Sequence, residues 1–308
     1  MPTAGATHID QYLTNFSRRI SNETFIAEQV CTVVPVRKDS DKYATYSNDH
    51  LRAVHDERAP GSPPNEVDYG VGSDTYSLVE HTLRDSVPDE HVGNYDQPFM
   101  PFEDAVVGLQ ERIRIRLEKK VADLVFGTST WTNRETLSGT DQLDDYANSD
   151  PFTVIEDAKS SVLSKSLRKP NIIVVGHQVF QKLVNHPDVV DRVKYTSSAS
   201  ITPEILARLF DVERVLVGSA VENTGKEGGD DNLAYIWGKH IFVGYRVPRP
   251  SLRTVTAVSM FRNRDFPRVE RYRHHDEGAK ATWVSYGDKF DVRKVADGAG
   301  FLIINAVS

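Results

Sequence analysis

The sequence predicts an α+β fold, and three observations carry that prediction. A long amphipathic helix occupies residues 101–124. Strands and helices alternate over 151–246, and strand-like segments close the chain over 247–308. The chain has 308 residues, 39% hydrophobic and 26% charged, enough to build one large domain or two modest ones. Ahead of these regions lies a stretch of another kind. RAPGSPPNEVDYGVGSD (58–74) has almost nothing to bury, and YSLVEHTLRDSVPDE (76–90) starts like a strand, is half polar and stops at Pro88-Asp89-Glu90.

Taken in order, residues 1–42 hold short apolar pieces, IDQYLTNF and ETFIAEQVCTVVPV, separated by polar residues. They suit a helix and a strand but cannot make a core together, so they read as an arm that packs on something else. Residues 43–98 read as an extended polar hairpin, with turn chemistry at Pro60-Gly61 and Pro63-Pro64. The long helix follows, in the span 99–150. Pro101 precedes it, Glu103 and Asp104 sit in its first turn, and Gly127 lies past its end. Val106, Leu109, Ile113, Leu117, Val121 and Leu124 recur at spacings of three and four, while Arg112, Arg114, Arg116, Lys119 and Lys120 take the rest of the surface. About 24 residues at about 1.5 Å each give a rod of roughly 36 Å.

The stretch 127–150 is loop-like. From Asp150 the pattern becomes α/β: 151–170 is helical, NIIVVG (171–176) is a fully apolar strand, and 177–187 and 188–195 are successive helices. Residues 202–210 form a helix with Thr202 as cap and Pro203 at its first position. A strand at 212–220, a loop GKEGGDDN and a strand pair around Gly238 complete this part. TVTAVSMF, PRVERYRH, TWVSYG, KFDVRKV and FLIINAV then read as five strands.

Catalytic and ligand-binding chemistry finds little support. The turn after NIIVV reads GHQVFQ, without the glycines that let backbone approach a pyrophosphate, and no GxxxxGK or GxSxG occurs. His274 and His275 would point to opposite faces of a strand, so with Asp276 they make no metal site. His50 and His55 lack ligand spacing of the zinc kind. Cys31 stands among valines as a small buried residue, and as the one cysteine it excludes an intrachain disulfide. Asp144-Asp145 and Asp230-Asp231 read as solvated loop residues. No catalytic, cofactor or metal residues are assigned. A net charge of −7 argues against affinity for nucleic acid and is explained by solubility. No run is long enough to span a membrane, and Met1-Pro2-Thr3-Ala4 begins no signal peptide.

The order of arm, hairpin, long helix and two folded regions resembles the major capsid protein of tailed bacteriophages, the Hong Kong 97-type fold shared with encapsulins. YSLVEHTLRDSVPDE resembles the returning strand of that family's extended loop, and PFEDAVVGLQERIRIRLEKKVADLVFG its spine helix. NIIVVGHQVFQKLVNHPDVVDRVKYT and ITPEILARLFDVERVLVGSAV are similar to successive parts of its axial domain. LAYIWGKHIFVGYRVPRPSLRTVTAVSMF resembles the passage back to the peripheral domain, and KFDVRKVADGAGFLIINAV the terminal strands.

The resemblance implies a structural protein, not an enzyme, that assembles into hexamers and pentamers of an icosahedral head around a double-stranded DNA genome. It divides the chain into arm (1–42), extended loop (43–98), peripheral domain (99–150 and 247–308) and axial domain (151–246). The hairpin would lie across the neighbouring subunit, so that Tyr76, Leu78, Val79, Leu83 and Val87 become buried only in the shell. Arg58, Glu80, Arg84, Arg112, Arg114 and Arg116 join Tyr76, Leu78 and Leu83 as expected contact residues, although Arg112, Arg114 and Arg116 equally suit a solvated helix face. Other copies of the chain, a portal protein, a separate scaffolding protein and, where one exists, a decoration protein would be its partners. DNA would be met only by weak, non-specific contact. The expected location is the virion, after assembly in the host cytoplasm.

Because only about 42 residues precede the hairpin and the chain starts with Met1, no long scaffolding segment removed by a protease is expected. One branch of the family joins a loop lysine to a neighbour's asparagine. Here Lys42 is followed by no lysine until Lys119, so the loop contacts are expected to be noncovalent and to separate in boiling detergent. An encapsulin-like shell around a cargo enzyme and, in another class, a soluble α/β enzyme or binding domain are the alternatives.

Overall fold

A computed structural model describes residues 8–9, 24–46, 56–58, 60, 61, 63, 66, 71–92, 100–194, 200–226, 228–273 and 280–308. His50, His55, His274, His275 and Asp276 lie outside the described residues. Two sheets and one long helix organise the rest. The strands are β1 (His8–Ile9), β2 (Thr32–Val36), β3 (Ser40–Tyr46), β4 (Val71–Ser77), β5 (Val79–Pro88), β6 (Arg134–Thr136), β7 (Ile172–Gly176), β8 (Arg214–Gly218), β9 (Val221–Asn223), β10 (Leu233–Tyr235), β11 (Ile241–Gly244), β12 (Val258–Asn263), β13 (Arg268–Arg273), β14 (Ala281–Lys294) and β15 (Gly300–Ile304). The helices are α1 (Ala27–Val30), α2 (Asp89–Val92), α3 (Pro101–Val125), α4 (Pro151–Ser166), α5 (His177–Val184), α6 (Pro187–Val193) and α7 (Pro203–Leu209).

The first sheet has the order β1-β13-β14-β12-β2, with β5 also paired to β14. The second has the order β6-β15-β11-β7-β8. β7 and β8 run parallel, and β11 is antiparallel to β7. Helix α3 spans 25 residues, about 37 Å, as the apolar spacing predicts. Val106, Leu109 and Ile113 in its first half pack on Val269, Val284 and Tyr286 of the first sheet. Leu117, Val121 and Val125 in its second half join a core with Trp131, Trp237, Phe242, Phe290 and Leu302, drawn from both sheets. A separate core beneath α4 holds Ile155, Val162, Ile173, Val175, Leu206 and Ile303. The helix thus belongs to both regions at once.

Several expectations are corrected. TWVSYG and KFDVRKV, read as separate strands, are one 14-residue strand, β14, with Asp288 between them inside it. Gly287 leaves room for the neighbouring strand: a Cβ would stand 2.8 Å from Thr82 Oγ1 on β5, which would have to shift. The strand pair around Gly238 is instead two strands in different sheets, β10 pairing with β9 and β11 with β7 and β15. Within the loop-like stretch 127–150, Trp131, Leu137 and Leu143 are buried and β6 adds a parallel strand beside β15. Residues 26–36 pack within their own chain: Ile26, Ala27, Val30 and Cys31 enter the main core, and β2 runs parallel to β12. These apolar pieces find partners more than 80 residues away, which local pattern does not show.

Candidate functional site

The candidate site is the surface formed by the hairpin base, β5 and α3. Among the described residues no group of three or more His, Cys, Asp or Glu could hold a metal ion. The hairpin base is strongly anchored. β3 and β4 pair from Ser40↔Ser77 to Tyr46↔Val71. The Tyr43 hydroxyl donates to Asp74 Oδ2 at 3.0 Å, and Ser77 N donates to Asp291 Oδ2 at 3.0 Å. The Tyr76 ring stacks on Phe261, with centroids 4.6 Å apart. β5 then pairs with β14 over ten residues, Val79↔Phe290 to Pro88↔Ala281.

This anchoring overturns one expectation directly. Tyr76, Leu78 and Val87 are buried within the subunit, not only in a shell, because Phe261 and the long strand β14 already cover them. Only Val79 and Leu83 of that apolar set stay exposed. Among the described residues no strand pairs with the other edge of β5.

The charged candidates distribute around this base. Glu80 Oε1 lies 3.7 Å from Arg268 Nη2, and the Arg84 guanidinium stands over the Trp283 ring at 4.4 Å. Exposed ion pairs of this kind contribute about 0–1 kcal/mol. Arg58 is exposed in the segment that joins β3 to β4. On α3 the three arginines diverge as helical spacing requires. Arg112 and Arg116 are exposed, whereas Arg114 lines a cleft of about 380 Å³ with Glu28, Arg262, Arg264, Tyr286 and Asp288.

Two polar groups that sequence reading passed over hold this surface together. Glu118, buried on α3, accepts from Ile26 N and Ala27 N at 2.9 Å each and from Trp237 Nε1 at 2.6 Å. One carboxylate therefore ties the start of α1, the long helix and the segment after β10. Burial raises its pKa, and the three donors offset part of that rise. Its only sequence signal is an acid set three residues before Val121 on the apolar stripe. Arg262 donates to Asp288 at 3.1 and 2.5 Å and to Glu28 at 2.7 Å. Burial lowers its pKa, but the two carboxylates outweigh it and raise it. Cys31 is inert: burial pushes its thiol well up.

His81 faces α3 from β5, its ring 4.7 Å from Phe290. Burial lowers its pKa, with the charges of Lys120 and Arg116 adding to burial and Asp288 opposing it. The unfolded chain therefore binds the proton more readily, and stability is lost as pH falls from about 6.5 through the folded value. The thermal midpoint of wild type is expected to fall more between pH 7.5 and pH 5 than that of a His81→Asn variant. Equal falls would show that His81 contributes nothing to acid sensitivity.

The family described as phage major capsid protein E matches residues 108–223, from α3 to β9. The chain is 31% identical over 240 residues to the major capsid protein of Burkholderia phage BcepMu, covering 77% of this chain and 76% of that one. The crystal structure of a phage-related protein from Bordetella bronchiseptica RB50 superposes with a TM-score of 0.79 at 25% identity, over 98% of both chains. A chain of the capsid of cyanophage P-SCSP1u has the same fold, with a TM-score of 0.61 at 11% identity, over 91% of this chain and 88% of that one. The chain belongs to the phage major capsid protein family: it is a structural protein of the virion capsid and associates with copies of itself.

Proposed function

We propose that copies of this chain form the hexamers and pentamers of an icosahedral head enclosing double-stranded DNA, with residues 43–98 reaching across the neighbouring subunit. One observation carries the reading. β5 is fixed by ten residue pairs to β14, yet Val79 and Leu83 stay in solvent beside an edge with no described partner. An open edge of that length invites pairing with another chain unless something covers it, and a neighbour supplies the cover. Contacts of this size are individually weak, and weak contacts repeated throughout a shell let misplaced subunits leave before closure.

On this reading a portal protein occupies one vertex and a scaffolding protein assists assembly in the host cytoplasm. DNA is met by non-specific contact alone, consistent with the net charge of −7. Among the described residues no helix is long and apolar enough to cross a membrane.

The test is replacement of residues 50–68 by Gly-Ser-Gly, which leaves β3 and β4 intact. The shortened chain is expected to melt within a few degrees of wild type, because this tract is rich in turn residues and has few apolar ones. It is expected to sediment as subunits or small oligomers rather than shells. Closed shells at normal yield would show that this segment does not bridge subunits.

A further inference from the structure

The region 151–246 carries two apolar features that its own fold leaves uncovered. The first is the β9–β10 hairpin. Its register sets Tyr235 opposite Val221 and Leu233 opposite Asn223, so these four side chains share one face. Glu222 and Ala234 take the other face, and Glu222 Oε1 accepts from Lys119 Nζ of α3 at 2.6 Å. The usual arrangement is inverted: the polar side chain points into the subunit, while Val221, Tyr235 and Leu233, the last 70% exposed, point outward. The hairpin is held in this orientation. Thr224 N donates to Asn232 O at 2.8 Å, Ile236 N to Ala220 O at 2.9 Å, and the Tyr235 ring stacks on His177.

The second feature ends α4. Leu163 and Leu167 are one turn apart, and both are exposed, Leu167 by 53%. Leu167 has φ 55° and ψ 20°, the left-handed conformation that glycine or asparagine usually takes at a helix end. A leucine there bears backbone strain and still stays about half exposed. Both costs are explained if the side chain is buried by something outside the subunit.

The two features sit at opposite ends of one strand. β7 starts at Ile172, five residues after Leu167, and ends at Gly176, just before the His177 that stacks on Tyr235. Two different patches at opposite ends suit head-to-tail contact, the kind that closes rings. Each patch is far below the roughly 1,000 Å² that a stable isolated pair needs, so the contact would persist only where a ring repeats it.

We propose that, within a capsomer, the outward face of the β9–β10 hairpin of one subunit packs on the Leu163–Leu167 ridge of the next. The occupant is a second copy of this chain, and the contact rests on the capsomer reading above.

Two variants test it in the full chain. In assembled particles of the double variant Leu167→Cys with Leu233→Cys, mild oxidation is expected to give a ladder on non-reducing gels that ends at five and six subunits. The native Cys31 is buried and does not compete. Leu167→Gly is expected to melt at or above the wild-type temperature, since it relieves the left-handed strain, and to lower shell yield at least tenfold. Particles of the double variant that form normally but give no ladder would overturn the contact, as would Leu167→Gly shells at wild-type yield. A wild-type chain that forms no particles would overturn the capsomer reading itself, and the contact with it.

Discussion

Replacing Glu118 by leucine is expected to lower stability by about 3 kcal/mol and to loosen residues 24–31. Three donors lose their acceptor at once: Ile26 N, Ala27 N and Trp237 Nε1. Each buried donor left unpaired costs about 1–3 kcal/mol. The sum is reduced because burial already disfavours the carboxylate, and leucine removes that cost. Glu118→Gln should lose much less, since its amide oxygen still accepts from two donors and only one bond is forfeited. Thermal melting separates the two variants, and hydrogen exchange at Ile26 and Ala27 locates the change. Equal stability of wild type and Glu118→Leu would show that this carboxylate does not join the three segments.

Arg262→Met is expected to cost about 3–5 kcal/mol, the usual result of removing one partner from a buried ion pair. Asp288 is buried in the first sheet and would lose the cation that bonds it. Glu28, whose side chain is half exposed, would be hydrated instead and contributes little. A double variant, Arg262→Met with Asp288→Leu, should recover a large part of the loss, because two apolar groups replace the pair without stranding a charge. Denaturant melts of the three proteins measure this. A single variant as stable as wild type would mean that water reaches Asp288 and that the pair is not structural.

The legible parts of the fold are those whose signals are local. The helix at 101–125 shows its start at Pro101, its acidic first turn and an apolar stripe at spacings of three and four. The strand at 172–176 is fully apolar because helices and neighbouring strands bury it on both faces. The order of segments suffices to suggest the family.

What stayed hidden depends on partners distant in sequence. Asp288 falls between two segments that read as separate strands, and the Arg262 that neutralises it inside β14 lies 26 residues away. Tyr76 and Val87 read as unburied because Phe261 and Thr282, which meet them, lie about 190 residues further on. Glu118 goes unnoticed in the sequence, since the two backbone amides and the indole that hold it lie 91, 92 and 119 residues away. The expected contact residues divide accordingly. Tyr76 and Leu78 anchor the hairpin within the subunit, and Leu83, Arg112 and Arg116 remain on the surface.

Sedimentation velocity of the purified wild-type chain, with electron microscopy of the same sample, tests the central claim most directly. Closed isometric particles containing many copies are expected, with rings of six and five subunits resolved in their walls. A single well-behaved monomer that stays monomeric at high concentration would contradict it.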